Sequence, residues 1–272
     1  KATPDVKLLV CEATGGYENH LLATAAELAI TSHRSDPFTM RQFAKSLRRM
    51  AKTDKIDAIS LARYGQERAE ILPHWTPPSL AQQKLQKLSN LRENLVANRV
   101  QYINQSKAPG NCPETEAVFD RVCSQLTKEI EGIEAIMDEI IAADQELKTK
   151  FDTIRSVKGC GDATARMLLA NLAELGHTNR KRIASLAGLA PHPHQSGESS
   201  WKRPMAGGRQ VIKKTMFIAA LSACRYNPKF KEVYQRLVGN GKAKRLAILA
   251  VARQMLSFIN FLLSEKNITH HA

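Results

Sequence analysis

The first third of the chain alternates between strand-like and helix-like patterns. Val6–Cys11 is an almost continuous apolar run, which predicts a buried strand. Asn19–Ala29 has helical spacing, Ile30–His33 predicts a second strand, and a helical stretch opens at Asp36 and extends to residue 50. Three prolines interrupt the chain between residues 73 and 78. We therefore predict an α/β domain over residues 1–78.

Two long amphipathic stretches follow. Leucines recur at three- and four-residue steps within Leu80–Gln105, and a similar stripe extends from Val118 to Leu147, after a loop rich in proline and glycine. This pattern predicts an antiparallel helical hairpin or coiled coil over residues 79–150. Its length and charged flanks favour an exposed arm that dimerises. A helical pair inside a larger core is the alternative.

Residues 151–272 predict a mainly helical domain, with helices over Gln210–Arg225 and Lys244–Leu263. It opens with VKGCGDATA at residues 157–165. Gly159 and Gly161, placed before a helix, are typical of a helix-hairpin-helix motif, in which backbone N–H groups meet a DNA phosphate. With Lys158 they are candidate nucleic-acid-binding residues, although a Gly-x-Gly sequence is often only a turn.

Charge is distributed unevenly along the chain. The formal net charge is +14, yet residues 1–150 carry 20 basic and 20 acidic side chains, whereas residues 151–272 carry 20 basic and 6 acidic. A segregated positive charge predicts a polyanion-binding surface, with nucleic acid ahead of a membrane. Because no apolar run approaches the roughly 18 residues of a membrane span, we expect no membrane partner.

The five cysteines are scattered and have no CxxC spacing. This pattern argues against a disulfide framework or a zinc site and is typical of a reducing compartment. We therefore expect a cytoplasmic location.

Three carboxylates are candidate metal ligands. Glu12 follows the first predicted strand, where sheet-based active sites collect, and Asp54 and Asp57 are spaced to share one helix face. Carboxylates in this arrangement can bind Mg²⁺ or Mn²⁺, which stabilises the attacking and leaving oxygens of a phosphoryl transfer. A solvated helix face is the alternative for the two aspartates.

Ser196 is a candidate nucleophile, in the sequence HPHQSGE, where we expect an exposed loop. Its hydroxyl could attack a phosphodiester and hold the DNA end covalently, although most such serines only form turns. His192 and His194 are weaker candidates for acid–base groups or metal ligands. Arg209 is a candidate phosphate clamp. Basic candidates for nucleic-acid binding also follow the serine, namely Lys202, Arg203, Lys213 and Lys214.

Three blocks together resemble the DEDD transposases of bacterial insertion sequences, a family that includes the Piv DNA invertase and the bridge-RNA-guided recombinases. The blocks are CEATGGYE at residues 11–18, AKTDKIDA at residues 51–58, and the run from VKGCGDATA through LAGLAPHPHQSG to NGKAKRLAILAVARQML. Their order and separation also fit, and the resemblance covers nearly the whole chain.

The resemblance implies a RuvC-like (RNase H-like) N-terminal domain whose second, third and fourth acidic residues are Glu12, Asp54 and Asp57. The family's first aspartate lies on an earlier strand that this sequence does not contain, and Asp5 is no convincing substitute, so we expect the domain to lack its first strand. The resemblance also implies that Ser196 becomes covalently joined to DNA. The expected partners are DNA at the element ends and target, a structured guide RNA, and further protomers in a dimer or tetramer.

Three functions follow from these features. The first is strand exchange through a serine–phosphate intermediate assisted by Mg²⁺. The second is a junction-resolving nuclease whose carboxylates activate water, and the third is a DNA-binding protein without catalysis. The joint presence of the carboxylate blocks and the Ser196 segment favours the first.

Overall fold

The computed structural model describes residues 6–47, 53–191, 193–196, 199–202 and 207–264, with the backbone alone for 193–196 and 199–202. It divides into two compact units, Lys1–Ser79 and Leu80–Ala272. The coarse expectation of an α/β part followed by a helical part is confirmed.

The first unit contains two strands and three helices: β1 (Leu9–Glu12), α1 (Glu18–Glu27), β2 (Ser32–Ser35), α2 (Pro37–Ser46) and α3 (Asp54–Arg68). The two strands are parallel, with Leu9 opposite Ser32 and Glu12 opposite Ser35. Parallel neighbours need a crossover, and α1 supplies it.

The strand boundaries differ from the predicted ones. The first begins at Leu9 instead of Val6, and the second at Ser32 instead of Ile30. The second shift has a local cause, because Ala29 adopts a positive φ of 54° and the Ile30 N–H donates to the Ala25 carbonyl. Residues 28–30 thus close the end of α1 before the strand can begin.

A small core holds the first unit together. Met40, Tyr64 and Leu72 are buried, and the T-shaped contact of Tyr64 with Phe43 has a centroid distance of 5.1 Å. Helix α3 lies directly on β1, since a Cβ added to Gly65 would come within 2.7 Å of Val10 Cγ2. Only glycine permits this close approach of helix and strand.

The second unit contains eight helices and two short strands among the described residues: α4 (Leu80–Ser106), α5 (Pro113–Ala143), α6 (Gln145–Ser156), α7 (Asp162–Asn171), α8 (Arg180–Leu186), β3 (Pro193–Ser196), β4 (Ser199–Lys202), α9 (Gln210–Tyr226), α10 (Pro228–Gly239) and α11 (Lys244–Leu262).

The predicted helical hairpin is formed by α4 and α5. It is antiparallel, because Arg92 pairs with Glu134 at 2.6 Å while Arg99, one heptad later, donates to Thr127 Oγ1 at 3.1 Å. The second helix ends earlier than predicted. The Asp144 side chain accepts from the N–H groups of Glu146 and Leu147 and so begins a new helix, α6.

The base of the hairpin is part of the core of the second unit. Leu85 of α4 and Met137 of α5 are fully buried in the same cluster as α7, α9 and α11. The hydrophobic effect therefore anchors the hairpin at its base. A coiled-coil arm that dimerises remains a prediction.

Helix α11 lies at the centre of this core, with buried positions that recur every three or four residues, such as Val251, Met255 and Ile259. Among the described residues it is the one helix whose length and apolar composition would suffice to cross a membrane. Half of that segment is buried inside the unit. Core packing therefore accounts for its apolar character.

The segment that holds Ser196 is a β-hairpin and not the predicted loop. Strands β3 and β4 are antiparallel, with Pro193 opposite Lys202 and Ser196 opposite Ser199. Strands of four mainly polar residues have no apolar periodicity, so the sequence pattern does not predict them. Proline is tolerated here because it is the first residue of its strand.

Candidate active site and nucleic-acid interface

Glu12 is the last residue of β1 and lies at the carboxyl edge of the parallel pair, beside Ser35. The turn that follows is held by another carboxylate. One oxygen of Glu18 accepts from the N–H groups of Thr14 at 3.0 Å and Gly16 at 2.9 Å. Glu18 is the last residue of the CEATGGYE block, but the sequence alone did not indicate that its side chain holds this turn.

Glu18 remains ionised although it is buried. Burial alone would raise the pKa of this carboxyl group, but hydrogen bonds from its own N–H and those of Thr14 and Gly16 stabilise the charged form. Arg34, whose Nη1 lies 3.6 Å from Glu18 Oε1, acts in the same direction. The net result is a lowered pKa and a charged anchor for the turn after Glu12.

The contacts at the C-terminal end of α3 fix its direction relative to the strands. After this helix, Trp75 N donates to Ser32 O at 2.7 Å and His33 Nδ1 lies 2.8 Å from Pro73 O, both at the start of β2. The C-terminal end of α3 therefore lies at the amino edge of the sheet. Its N-terminal end, with Asp54 and Asp57, points toward the carboxyl edge that ends in Glu12.

The contact between Gly65 of α3 and Val10 of β1 is a common starting point for measuring distances along both elements. Asp57 precedes Gly65 by eight residues, about 12 Å of helix, whereas Glu12 follows Val10 by two residues, about 7 Å of strand. The two carboxylates thus extend toward the same side. Asp57 is half-buried and Asp54 is exposed, one turn further out.

Nothing in the described part of the chain forms an ion pair with Glu12, Asp54 or Asp57. Nor does the described part contain a group of three His, Cys, Asp or Glu side chains close enough to hold a metal ion. The structure therefore brings the predicted ligands to one edge of the sheet but does not gather them into a formed site.

The glycine-containing turn of the second unit joins α6 to α7. Gly159 has a φ of 111° and packs on α9, where an added Cβ would come within 2.7 Å of Ala223 Cβ. Gly161 is extended, faces open space, and precedes α7 as an N-cap without a side-chain hydrogen bond. The Lys158 carbonyl accepts from Asn227 Nδ2 at 3.2 Å, which fixes the turn to the end of α9.

Two neighbouring groups change the chemistry of this turn. Burial raises the pKa of the Cys160 thiol to about 12, so this cysteine is not a nucleophile at neutral pH. Asp162, in the first turn of α7, forms an ion pair with Arg155 at 2.6 Å. The carboxylate favours the helix N-terminus electrostatically and would compete there with a phosphate.

The segments before and after the β3–β4 hairpin touch at Gly188 and Gly208, and we call this contact the neck of the hairpin. A Cβ added to Gly208 would lie 2.1 Å from the Gly188 nitrogen, so the two segments cross with their backbones in direct contact. Both glycines have positive φ, 66° for Gly188 and 69° for Gly208. Just beyond the crossing, Arg209 N donates to Leu186 O at 2.8 Å.

The Arg209 side chain completes this neck. Its guanidinium makes two 2.6 Å bonds to Glu174 and one 2.8 Å bond to the Asn171 carbonyl. Burial would raise the pKa of Glu174, but the hydrogen bonds and charge of Arg209 lower it, so the pair is ionic. Arg209, predicted to clamp a phosphate, thus already holds a carboxylate, and no pattern in the sequence indicated its partner Glu174.

The other predicted residues are close to this hairpin in the sequence. Lys213 and Lys214 are in the first turns of α9, half-buried and exposed respectively. The side chains of His194, Ser196 and Lys202 and the whole of His192 and Arg203 lie outside the described residues.

Two protein-family models match parts of this chain. One, a DEDD-type IS110 domain described as "Transposase", matches residues 1–108, and "Transposase IS116/IS110/IS902 family" matches residues 152–235. Pilin gene-inverting proteins of Moraxella lacunata and Moraxella bovis are each 31% identical over 258 residues, covering 92% of this chain and 77% of the relative. The insertion element IS110 43.6 kDa protein of Streptomyces coelicolor is 30% identical over 146 residues, 53% of this chain and 36% of that protein.

These matches confirm the resemblance noted in the three sequence blocks. A relative this similar along most of both chains establishes the family and, with it, a role in DNA recombination. The chain belongs to the IS116/IS110/IS902 transposase family and is a DNA transposase or recombinase.

Proposed function

We propose that this protein cleaves and rejoins DNA through a covalent bond between Ser196 and a DNA phosphate. The observation that carries the proposal is the position of Ser196 in the backbone. It ends strand β3 of a hairpin whose neck is fixed by the Gly188–Gly208 crossing. A rigid base under a short hairpin is a suitable support for a nucleophile that must reach a phosphodiester.

The reaction comprises two transesterifications. In the first, Ser196 Oγ attacks phosphorus, an Oγ–P bond forms, the bond from phosphorus to one deoxyribose oxygen breaks, and the serine proton passes to that oxygen. In the second, a hydroxyl of the exchanged strand attacks the serine phosphate, a new phosphodiester forms, the Oγ–P bond breaks, and the proton of the attacking hydroxyl passes to Ser196 Oγ. No nucleotide cofactor is needed, because the covalent intermediate conserves the bond.

Glu12, Asp54 and Asp57 are the proposed ligands of a divalent cation, Mg²⁺ or Mn²⁺. Oxygen donors suit these hard cations, and the three carboxylates point to one edge of the RuvC-like unit without any ion pair in the described chain. When bound, the cation would neutralise charge on the DNA phosphate. Glu18 is the proposed positioning residue, because it anchors the turn directly after Glu12.

The nucleic-acid surface is proposed to lie on the C-terminal part, where the positive charge is concentrated. Lys158, Gly159 and Gly161 would present the α6–α7 turn to a phosphate. Cations near the hairpin would contact DNA alongside, namely Lys202, Arg203, Lys213 and Lys214. Arg209 is proposed to act through Glu174 as a positioning residue, and a guide RNA and assembly into a dimer or tetramer complete the proposal.

The names of the relatives suggest what the reaction achieves. The Moraxella relatives are named for the inversion of a pilin gene, and the Streptomyces relative for an insertion element. Inversion and insertion both need the two transesterifications above and differ in the arrangement of the DNA ends.

The test is covalent trapping. Full-length protein, Mg²⁺, labelled element-end DNA and any RNA encoded at the locus are mixed, denatured and resolved by electrophoresis. We expect a protein–DNA adduct that disappears in Ser196→Ala and persists in Ser199→Ala, a matched control in the paired strand. Cleaved DNA without an adduct would instead indicate a metal-dependent nuclease in which water is the nucleophile.

A further inference from the structure

A buried hydroxyl group lies beside Glu12 at the carboxyl edge of the parallel strand pair. Ser35, the last residue of β2, is only 2% exposed, and its Oγ has no hydrogen-bond partner within the ranges that the structure describes. The backbone of Ser35 is paired, since its carbonyl accepts from Ala13 N at 3.0 Å. Most buried hydroxyl groups in proteins have a partner, so this unpaired one requires an explanation.

Ser35 and Glu12 point to the same face of the sheet. The two residues are direct partners in the parallel register, and side chains at paired positions lie on one side. Two residues earlier in β2, the ring of His33 lies 6.2 Å from the ring of Tyr64 in α3. Because side chains alternate along a strand, Ser35 also faces the α3 side, and Glu12 does so with it.

The stripe of α3 that faces this side of the sheet continues to Asp57. Gly65 contacts Val10 of β1, and Leu61, four residues before it, packs against the small core of the first unit. Asp57 follows at the same four-residue step, and residues four apart share one face of a helix. The Ser35 hydroxyl therefore lies on the side of the sheet where the proposed cation ligands extend.

We infer that Ser35 is a further positioning residue for the cation, an inference that rests on the metal site of the proposed function. Its hydroxyl would donate a hydrogen bond to one oxygen of the Glu12 carboxylate and leave the other oxygen for the cation. Carboxylates that bind a metal are themselves usually hydrogen-bonded, and this contact orients the ligand. The unpaired hydroxyl would thus obtain its partner when Glu12 turns toward the cation.

Binding of Mn²⁺ tests this inference without any reaction on DNA. The probe is Mn²⁺ alone, titrated into full-length protein, and the free ion is measured by its electron paramagnetic resonance signal. Glu12→Gln is the reference variant that removes a proposed ligand. Ser32→Ala is the matched control, because Ser32 is 3% exposed in the same strand but, three positions before Ser35, lies on the opposite face of the sheet.

We expect Ser35→Ala to weaken Mn²⁺ binding about tenfold, the lower end of the effect of removing a group that orients a metal ligand. Ser32→Ala should bind Mn²⁺ like the parent. Without Mn²⁺, Ser35→Ala should unfold at the same temperature as the parent or at a higher one, because the substitution removes a buried hydroxyl that has no partner. At equal Mn²⁺ concentration, the cation should raise the Tm of the parent more than that of Ser35→Ala.

The results separate failure of this inference from failure of the metal site. If Glu12→Gln weakens Mn²⁺ binding but Ser35→Ala binds like the parent, the carboxylate site stands and the role of Ser35 is overturned. Equal weakening in Ser35→Ala and Ser32→Ala, or a lower Tm of Ser35→Ala without Mn²⁺, would show that the serine acts only through the fold. A parent that binds no Mn²⁺, or binds it no better than Glu12→Gln, would overturn the metal site and the role of Ser35 together.

Discussion

The two glycines of the α6–α7 turn have different physical roles, and alanine substitutions separate them. At Gly159, a φ of 111° is strained for any L residue, at a cost of about 1–3 kcal/mol. The added methyl would also meet Ala223 Cβ at 2.7 Å and its backbone at 3.0 Å, at a further cost of roughly 1–3 kcal/mol. Alanine also lowers the conformational entropy of the unfolded chain, and this offsets part of both costs. We therefore expect Gly159→Ala to lower the free energy of unfolding by about 2–5 kcal/mol.

Gly161 provides the matched control. Its φ of −96° suits alanine, and nothing lies within 4 Å of an added Cβ. We expect Gly161→Ala to cost less than about 1 kcal/mol, because alanine is a poorer N-cap than glycine. Its methyl would occupy the open space in front of α7, so affinity for duplex DNA should fall while stability is retained.

Urea or thermal unfolding and DNA-binding titration measure both effects. For a unit of this size, the loss at Gly159 corresponds to a decrease in Tm of roughly 5–15 °C. If Gly159→Ala unfolds like the parent, or if both substitutions destabilise the protein equally, then neither the positive φ nor the contact with Ala223 requires glycine at this position. Unchanged DNA affinity in Gly161→Ala would contradict a phosphate contact at this turn.

Other predictions concern charged groups. Glu174→Gln should cost only about 1 kcal/mol of stability, because both members of its pair with Arg209 are more than a third exposed. The same substitution should nevertheless reduce the adduct yield. Rescue of that yield by Glu174→Asp, with thermal unfolding measured in parallel, would support a positioning role. The Glu18 carboxylate stabilises the fold at pH values above its unfolded-state pKa, and this effect is lost as pH falls through its lowered folded-state pKa. The difference in unfolding free energy between the parent and Glu18→Gln should therefore be largest near neutral pH and vanish in acid. A difference independent of pH would contradict the ionic anchor. Arg166→Met removes a bidentate pair with half-exposed Asp138 and a 3.0 Å ion pair with Glu134, so urea unfolding should show a loss of about 2–3 kcal/mol. No loss would mean that these pairs do not hold α7 to the hairpin.

The elements with strong periodicity were predictable from the sequence. Leu80–Gln105 and Gln210–Arg225 match α4 and α9 to within a residue at each end, because long apolar stripes dominate their packing. The ends at Ala29 and Asp144 were not predictable, since a positive φ and a side-chain cap decide them locally. The β3–β4 hairpin has no apolar pattern at all.

The candidate site shows the same division. Residue type and family resemblance indicated Glu12, Asp57 and Ser196, whose proposed chemistry depends on the residues themselves. Glu18 and Glu174 were missed, because their importance arises from contacts that appear only in the folded chain: backbone N–H groups in one case and Arg209 in the other.

The serine mechanism is tested by identifying the residue that carries the DNA phosphate. The trapped adduct is digested with nuclease and protease, and fragment mass spectrometry locates the remaining nucleotide. The peptide that contains Ser196 also contains Ser199 and Ser200, so the fragments must separate these three serines. We expect the modification on Ser196 alone, and a nucleotide on either neighbour or on any other residue would contradict the proposed serine mechanism.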